Sequence, residues 1–340
     1  MSKYYNIINN NKSMKTILKA IANLLFPILY FIGWPFTFVA VGWLKYVRRK
    51  NKGNSIFMFW GMLPIVDHYY QPLINPHKHL RKSLREDRLL PEIDFNVEEQ
   101  LQLLSRFNYN EELLQFPIER DVNSLSFYHD NGTFGFGDAE YLYNMIRHLK
   151  PKRIIEIGCG SSTLMTVNAY KKNKQDDSSY DCKITCIEPY EEPWLEQLGV
   201  DILRSKLEDI DVSIFKTLEK NDILFIDSSH IIRPQGDVLM EYLEILPQLN
   251  SGVIIHIHDI FSPKDYPDRW IFGKQHRLWN EQYLLEAFLY YNNQFRIVGS
   301  LNYLSHHYAA EFSAKCPIYA KNINVKRRDE DPASFWIIKN

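Results

Sequence analysis

The pattern of apolar and polar residues divides the chain into three stretches of different character. Residues 20–44 form a run of 25 positions without a charged side chain. Residues 54–150 are irregular, rich in aromatics and interrupted by proline. From Lys152 onward, short apolar runs alternate with longer amphipathic ones, which is typical of strands alternating with helices. The pattern predicts a hydrophobic anchor at 1–53, a cap or substrate-side extension at 54–150, and an α/β domain at 151–340 with insertions at 260–278 and 300–333.

The third stretch predicts a doubly wound, mainly parallel sheet with helices on both faces. Strands are expected at residues 153–157, 183–188, 201–204, 223–227, 253–257, 295–299 and 334–338. Helices are expected at residues 163–172, 233–249 and 280–291. Sheets of this kind bind ligands at the carboxyl ends of their strands, so polar residues that follow the strands are the candidate site.

The uncharged run at residues 20–44 is long enough to cross a bilayer core of about 30 Å. No small-residue cleavage site follows it, which argues against a signal peptide. Before Asp67 the chain has nine Lys or Arg residues and no Asp or Glu. More of these basic residues follow the run than precede it, which favours a cytoplasmic catalytic body. Pro27 and Pro35 suggest a kinked span or a re-entrant hairpin; a helix packed on the protein's own core or on a partner subunit is the alternative.

Composition narrows the class of protein further. The 340 residues are 45% hydrophobic, enough for a large core, and the formal net charge of −1 gives no support for nucleic-acid binding. The four cysteines show neither metal-ligand nor disulfide spacing, which suits a reducing compartment. They are Cys159, Cys182, Cys186 and Cys316. The sequence leaves the oligomeric state open.

Two polar motifs follow the first two predicted strands of the α/β domain. Gly158 and Gly160 precede a helix, so the backbone can approach a ligand closely and the free N–H groups of the helix face it. Glu188 ends the second strand, where a carboxylate can accept hydrogen bonds from both ribose hydroxyls. A dinucleotide fingerprint would need a third glycine where Thr163 stands. These motifs alone therefore leave NAD, S-adenosylmethionine and a plain tight turn open.

Four sequence runs carry a resemblance to a known family: IIEIGCGSSTL, IEPY, ILFIDSSH and GVIIHIHDIF. They resemble the class I S-adenosylmethionine-dependent methyltransferases and, more narrowly, the branch found among bacterial sugar- and glycan-modifying proteins. The resemblance covers the chain from about residue 131 to the C terminus. It implies a Rossmann-like, seven-stranded sheet in which the last two strands form the antiparallel pair that separates methyltransferases from dehydrogenases.

The resemblance also implies a cofactor site for S-adenosylmethionine. Glu156 would contact the methionine amino group, directly or through water, and Glu188 would bind the ribose. The region of Leu207 and Glu208 would hold the adenine. The remaining cofactor residues implied are Gly158, Gly160, Ser161, Ser162 and Asp227.

The ends of the fourth and fifth predicted strands resemble the magnesium-dependent catechol-type and macrolide-sugar O-methyltransferases. Asp227 and Asp259 match positions that hold the metal in those families. His258 stands where they have an acid, and His230 stands where the catechol type has a lysine base. Histidine favours softer cations than magnesium, so the resemblance leaves magnesium, manganese, another cation or no metal.

Three interpretations of these residues remain. In the first, Asp227, His258 and Asp259 bind a divalent metal. In the second, no metal is present and His230 or His258 is a general base that acts on a substrate hydroxyl. In the third, the carboxylates cap turns and the histidines are merely hydrogen-bonded.

Three further segments give weaker indications. One precedes the first strand and could fold over cofactor and acceptor; its candidate residues are Tyr128, Asn131, Phe134 and Asp138. Residues 265–270, with the sequence DYPDRW, suggest an aromatic lid or an ordinary surface loop with a buried Trp. Residues 302–332 are expected to be rich in loops.

The function that these observations predict is O-methylation of a glycan, a lipid-linked sugar or a related hydroxyl acceptor. One alternative is a nicotinamide-dependent oxidoreductase, against which the missing third glycine argues. The other is a membrane-anchored scaffold with a degenerate methyltransferase fold. A degenerate fold would have lost its cofactor residues, but Glu156, Gly158, Gly160 and Glu188 are all present.

We predict that deleting residues 1–50 yields a chain that stays in aqueous solution and still binds S-adenosylmethionine. The reason is that the anchor is separate from the predicted cofactor site. Ultracentrifugation without detergent and calorimetry with the cofactor measure the two properties. If the full-length chain also stays in solution without detergent or lipid, the apolar run is internal core or an oligomer contact instead.

Overall fold

A computed structural model describes residues 2–49, 54–62, 64–190, 192–274, 276–322 and 331–340. The chain divides into two compact units, Met1–His79 and Leu80–Asn340. The division into anchor, cap and α/β domain proposed from the sequence stays a prediction.

The first unit is dominated by one long helix, α1 (Ser2–Arg49). The stretch Ile21–Arg48 is long and apolar enough to cross a membrane, and the most apolar part of it is not buried within the protein. Pro27 and Pro35 both lie inside α1, so a re-entrant hairpin is not formed within residues 2–49. Two short helices follow, α2 (Asn54–Phe59) and α3 (Pro76–His79).

The second unit contains a seven-stranded sheet in the order β3-β2-β1-β4-β5-β7-β6. The strands are β1 (Arg153–Ile157), β2 (Lys183–Ile187), β3 (Asp201–Leu203), β4 (Ile223–Ile226), β5 (Ile254–Ile257), β6 (Phe295–Ser300) and β7 (Phe335–Lys339). Strands β1 to β5 are parallel, whereas β7 runs antiparallel to both β5 and β6. The predicted Rossmann-like α/β fold and its antiparallel strand pair are confirmed.

Helices cover both faces of the sheet because the central strands are apolar on both sides. One face carries α6 (Asp138–Leu149) and α7 (Ser161–Asp176), and their buried residues pack with Phe225 and Trp336. The other face carries α8 (Asp237–Met240), a π-helical segment (Glu241–Ile245), α9 (Leu246–Gln248) and α11 (Glu281–Leu289). The other helices are α4 (Val97–Ser105), α5 (Asn110–Leu113), α10 (Asp268–Ile271), α12 (Leu301–His307), α13 (Ala309–Lys315) and α14 (Pro317–Asn322), with 3₁₀ turns at Leu195–Gln197, Leu207–Asp209 and Val212–Thr217.

Two predictions about helices are corrected. The helix expected at residues 233–249 begins only at Asp237, because Pro234 and Gly236 end the preceding turn and Gln235 adopts a positive φ of 57°. The loop-rich segment expected at residues 302–332 is instead helical through Asn322, since α12, α13 and α14 each bury apolar residues. Residues 323–330 lie outside the described part of the chain.

Candidate active site

The register of the parallel strands places four candidate site residues along one edge of the sheet. Ile157 pairs with Ile187 on one side and with Ile226 on the other, and Ile226 pairs with Ile257. The next residue of each strand therefore emerges at the same edge. These residues are Gly158, Glu188, Asp227 and His258.

Gly158 permits the closest backbone approach at this edge. Its φ is +74°, and a Cβ there would lie 1.9 Å from the carbonyl oxygen of Asp227. Only glycine fits both restrictions. Gly160 differs, since a Cβ there would meet no atom within 4 Å. The space beside Gly160 is where a cofactor could approach the backbone at the start of α7.

Glu156 has an orphaned oxygen in the core. Ser162 donates from Oγ to its Oε1 at 2.5 Å, whereas the buried Oε2 has no hydrogen-bond partner in the described structure. Burial raises the pKa of Glu156 to about 8, and the charges of Asp227 and Glu188 add to the shift, although the Ser162 and Thr163 hydrogen bonds oppose it. An unpaired buried carboxyl oxygen fits a cationic partner such as the amino group of S-adenosylmethionine.

Glu188 is tied to the glycine loop and to its own turn. Its Oε2 accepts from the backbone N–H of Cys159 at 3.3 Å, and its Oε1 accepts from that of Tyr190 at 2.9 Å. The helix start is tied to the segment before β1, because the Thr133 hydroxyl donates to Ser161 Oγ at 3.3 Å. The Glu188–Cys159 and Thr133–Ser161 hydrogen bonds hold the loop in the shape that a cofactor would meet.

The residues expected near adenine lie in the 3₁₀ turn Leu207–Asp209. Leu207 is buried, and Glu208 is half-buried and accepts from Arg233 Nη2 at 3.1 Å. Neither residue lines the cavity described next. Of the nine predicted cofactor residues, Asp227 alone lines that cavity among the described parts of the chain.

A cavity of about 480 Å³ opens beside the ends of β4 and β5. Its volume lies within the range of small-molecule sites, about 300–1,000 Å³. Acids and histidines from the strand ends line one part, and the segment before α6 lines another. The acids and histidines in its lining are His129, Asp138, Asp227, His230, His258, Asp259 and Asp331.

Three of these residues form a compact cluster. His230 Nε2 lies 3.2 Å from Asp227 Oδ1 and 3.5 Å from Asp259 Oδ2. One ligating atom from each residue falls within 4.8 Å of the others, a donor set that suits a divalent cation such as manganese, iron or zinc. His258 is not in this cluster; its Nε2 lies 3.7 Å from Asp259 Oδ1.

The backbone around the cluster is held in an uncommon conformation. His230 and Asp259 both have φ of 58°, in the left-handed region that few residues other than glycine adopt. The backbone N–H groups of Asn280 and Glu281 donate to the His230 carbonyl oxygen, at 3.2 and 3.3 Å. Such conformations persist only where the surrounding contacts hold them, and they concentrate at functional sites.

The cluster controls the charge of its own histidine. Burial alone would lower the pKa of His230, but its hydrogen bonds to Asp227 and Glu281 and the charge of Asp259 raise that pKa well above the usual value. Burial favours a neutral Asp227, yet the charges of His258 and His230 lower the pKa of Asp227. The two carboxylates, while their charge is uncompensated, therefore favour the imidazolium form of His230.

Glu281 is a functional candidate that sequence reasoning missed. It is fully buried at the start of α11, and its Oε2 lies 2.8 Å from His230 Nδ1. Tyr242 donates from its hydroxyl to Glu281 Oε1 at 3.2 Å. The hydrogen bond between Glu281 and His230 keeps the proton on Nδ1 and directs Nε2 of His230 at the cluster. An acid in the first turn of a helix is common, so nothing in the sequence distinguished it.

The segment before β1 lines part of the cavity, and of the four residues proposed there from the sequence Asp138 alone is in that lining. Asn131 organises a tight turn, accepting from the backbone N–H groups of Thr133 and Phe134 at 2.9 and 2.8 Å and donating to the Tyr128 carbonyl. Phe134 packs against His258 at 5.1 Å between ring centroids. Asp138 accepts from the backbone N–H groups of Ala333 and Ser334, immediately before β7, which ties this segment to the sheet.

Two tryptophans, Trp270 and Trp279, also line the cavity. Trp279 lies 4.4 Å from His230 between ring centroids, a contact that sequence reasoning also missed. Trp270, from the predicted lid segment, is buried against Phe261 and also lines the cavity. The guanidinium carbon of Arg277 lies 5.3 Å from the Trp270 ring and 5.1 Å from the Trp279 ring. The site thus combines aromatic faces with charged groups.

Comparison with known proteins identifies the family. The sequence profile of a family described as "Methyltransferase domain" matches residues 155–260, which include the strand ends of this site. An uncharacterised protein of Archaeoglobus fulgidus is 31% identical over 183 residues, which span 51% of this chain and 81% of that protein. The chain belongs to the class I S-adenosylmethionine-dependent methyltransferases.

Solved structures with similarity to this methyltransferase are more distant. An O-methyltransferase from Bacillus cereus, in complex with SAH, is 12% identical with a TM-score of 0.33, covering 74% of this chain and 94% of its own. The MycE methyltransferase of the mycinamycin biosynthetic pathway, in complex with Mg and SAH, is 15% identical with a TM-score of 0.35, covering 74% and 65%.

His129 gives the methyltransferase a testable pH dependence. Its ring is buried beside Phe136, with 5.6 Å between ring centroids, and burial lowers its pKa from 6.5 to about 4. The unfolded chain therefore binds this proton near pH 6.5, whereas the folded chain does not until about pH 4. Stability from this group is complete above pH 6.5 and is lost as the pH falls towards 4.

We predict that lowering the pH from 7 to 5 costs the wild type about 2 kcal/mol through His129 alone. His129→Phe keeps an aromatic ring in the stack and cannot titrate, so its free energy of unfolding should fall by that much less over the same interval. Urea unfolding at both pH values measures the difference. Equal losses in the two proteins would contradict a buried neutral His129.

Proposed function

We propose that this methyltransferase transfers the methyl group of S-adenosylmethionine to a hydroxyl of a glycan or lipid-linked sugar at a membrane. The observation that carries the proposal is the cluster of Asp227, His230 and Asp259 inside a cavity beside the glycine loop. Methylation of an oxygen needs a group that removes the hydroxyl proton or lowers the pKa of the hydroxyl. Transfer to an already nucleophilic nitrogen or sulfur would need no such cluster.

The proposed cofactor site combines Glu156, Glu188 and the glycine loop. The orphaned Oε2 of Glu156 supports a contact with the amino group of the methionine half. The open space at Gly160 supports close passage of the cofactor along the start of α7. Glu188 follows β2 at the same sheet edge, which supports its assignment to the ribose. Ser161, Ser162, Leu207, Glu208 and Asp227 complete the proposed set.

His230 is the proposed general base. It would accept the acceptor proton at Nε2 while its Nδ1–H stays hydrogen-bonded to Glu281. It is a better proton acceptor when the charges of Asp227 and Asp259 are compensated, because those carboxylates otherwise raise its pKa well above the usual value. This dependence favours a divalent cation held by Asp227 and Asp259, with His258 beside them, so that Nε2 of His230 is left to accept the proton.

Such a cation would supply positive charge that lowers the pKa of an acceptor hydroxyl. Residues of the chain would orient the acceptor and exclude water. Trp279 and Trp270 would orient a ring-shaped acceptor by packing on its faces, and the loop around Thr133 would limit the access of water. His258 remains a second candidate base because it lines the same cavity.

Membrane attachment through α1 is part of the proposal. The exposed apolar stretch Ile21–Arg48 supports a membrane span, and the basic residues that follow residues 20–44 support a cytoplasmic catalytic unit, on the side where the cofactor is made. An enzyme held at the cytoplasmic face would meet sugars carried on lipids. That reasoning favours a lipid-linked or membrane-associated glycan as the acceptor.

We predict that Glu188→Ala weakens S-adenosylmethionine binding at least tenfold. Removing a charged hydrogen-bond partner typically costs about 1.5–3 kcal/mol. Isothermal calorimetry measures the affinity directly. Glu196→Ala is the matched control, since Glu196 pairs with Arg204 at 2.8 Å in the same connection and is exposed. Unchanged affinity in Glu188→Ala would remove Glu188 from the ribose site.

We predict that His230→Ala lowers the rate of methyl transfer about 10²- to 10⁴-fold while cofactor affinity changes little. Loss of a general base raises the barrier by about 3–5 kcal/mol. Exhaustive chelation should abolish the activity of the wild type, and added manganese or magnesium should restore it. His258→Ala is the comparison variant, because its ring lines the same cavity outside the cluster.

The two halves of this prediction fail separately. Full activity after chelation, with His230→Ala still inactive, would leave a metal-free general-base mechanism. Full activity in His230→Ala would transfer the role of base to His258 or exclude a general base.

A further inference from the structure

A second cavity adjoins the proposed acceptor site. It has a volume of about 250 Å³ and shares Phe261, Arg269 and Asp331 with the wall of the first cavity. None of the residues proposed for the cofactor, the base or the metal lines it. A ligand that fills the first cavity could therefore continue into the second without meeting the reacting groups.

The lining of the second cavity is polar but balanced in charge. It contains three basic residues, Arg85, Lys264 and Arg269, and three acidic residues, Asp265, Asp268 and Asp331. Several are already paired: Arg85 Nε lies 2.7 Å from Asp268 Oδ2, and His306 Nε2 lies 2.9 Å from Asp331 Oδ2. Such a lining offers donors and acceptors in similar number without attracting either an anion or a cation.

Asn302 adds an independent observation. Its side chain is only 1% exposed and lines this cavity, and its Nδ2 donates to the Pro332 carbonyl at 3.3 Å. Its Oδ1 has no hydrogen-bond partner in the described part of the chain. A buried acceptor without a donor is uncommon in folded proteins, and a hydroxyl of a bound ligand would satisfy it.

Apolar surface completes the second cavity. Leu84, Phe261 and Pro267 provide carbon surface next to the polar groups. A pyranose has the same combination, with C–H groups on its faces and hydroxyls around its edge. A flat aromatic ligand would leave the polar lining unpaired, and a charged ligand would gain nothing from a balanced lining.

We propose that the second cavity binds the sugar unit next to the one that is methylated, with Asn302 accepting a hydrogen bond from one of its hydroxyls. The acceptor is then an oligosaccharide, either free or lipid-linked, and not a single sugar. This inference rests on the proposed sugar methylation and narrows its substrate class. Phe261, Arg269 and Asp331 lie where the two sugar units would join.

The test uses the full-length protein in detergent, tritiated S-adenosylmethionine and a cell extract of the parent organism. Partition between chloroform–methanol and water separates lipid-linked from free acceptors. Mild acid then releases the labelled glycan, and gel filtration gives its size. The label should elute with glycans larger than one sugar unit, whichever partition they come from.

Two variants tie the result to the second cavity. Asn302→Ala should lower labelling at limiting extract about tenfold, the effect of losing one well-formed hydrogen bond to a ligand. Arg85→Ala changes an exposed residue that lines only the second cavity, so it should reduce labelling without endangering the fold. Arg296→Ala is the control, because it removes a comparable exposed ion pair with Glu99 elsewhere. Cofactor affinity should stay within about twofold of the wild type in all three.

The outcomes separate the two proposals. Label on single sugar units only, or equal labelling by the wild type, Asn302→Ala and Arg85→Ala, would overturn the second subsite and keep sugar methylation. Absence of label from every glycan fraction would reject sugar methylation itself, and the second subsite with it.

Discussion

Backbone hydrogen bonding between β1, β4 and β5 determines where the reactive groups of this methyltransferase lie. The N–H of Asp227 donates to the Ile157 carbonyl at 2.9 Å, and the N–H of His258 donates to that of Ile226 at 2.9 Å. A slip of one residue in either pairing would turn every side chain of the strand to the opposite face. The apolar residues of both faces oppose such a slip. The packing of the core therefore also determines the geometry of the site.

The contact between Gly158 and Asp227 shows how narrow that constraint is. The Asp227 carbonyl occupies the position that a Cβ of residue 158 would take. The glycine loop is thus shaped by the neighbouring strand before any cofactor arrives. The same close packing keeps the proposed cofactor loop and the acid–histidine cluster at a fixed separation, and methyl transfer needs reacting atoms held in line.

A second set of contacts supports the cluster from the helical layer on one face of the sheet. Glu281 and Tyr242 belong to the helical layer on one face, yet they determine which nitrogen of His230 faces the cavity. The π-helical segment that carries Tyr242 also places Glu241 near Ser228, with Oε2 at 3.3 Å from Ser228 Oγ. Burial and the charge of Glu281 raise the pKa of Glu241. The raised pKa of Glu241 favours its neutral form beside the buried Glu281.

The sequence by itself determined the α/β fold, the order of the strands along the chain, and the strand ends that carry the site. Local patterns suffice for this, because buried parallel strands are continuous apolar runs and glycines mark the tight turn after β1. Family resemblance added the antiparallel β6–β7 pair. Only the tertiary structure brought His230 between Asp227 and Asp259, left His258 beside them, and added Glu281 and Trp279 from a later connection. The contacts of His230 with Asp259, Trp279 and Glu281 join residues that are far apart in the chain. They depend on side-chain direction and on the left-handed backbone at His230 and Asp259. No local pattern encodes them, because a side chain's partners are set by packing between elements and not by its neighbours in the chain.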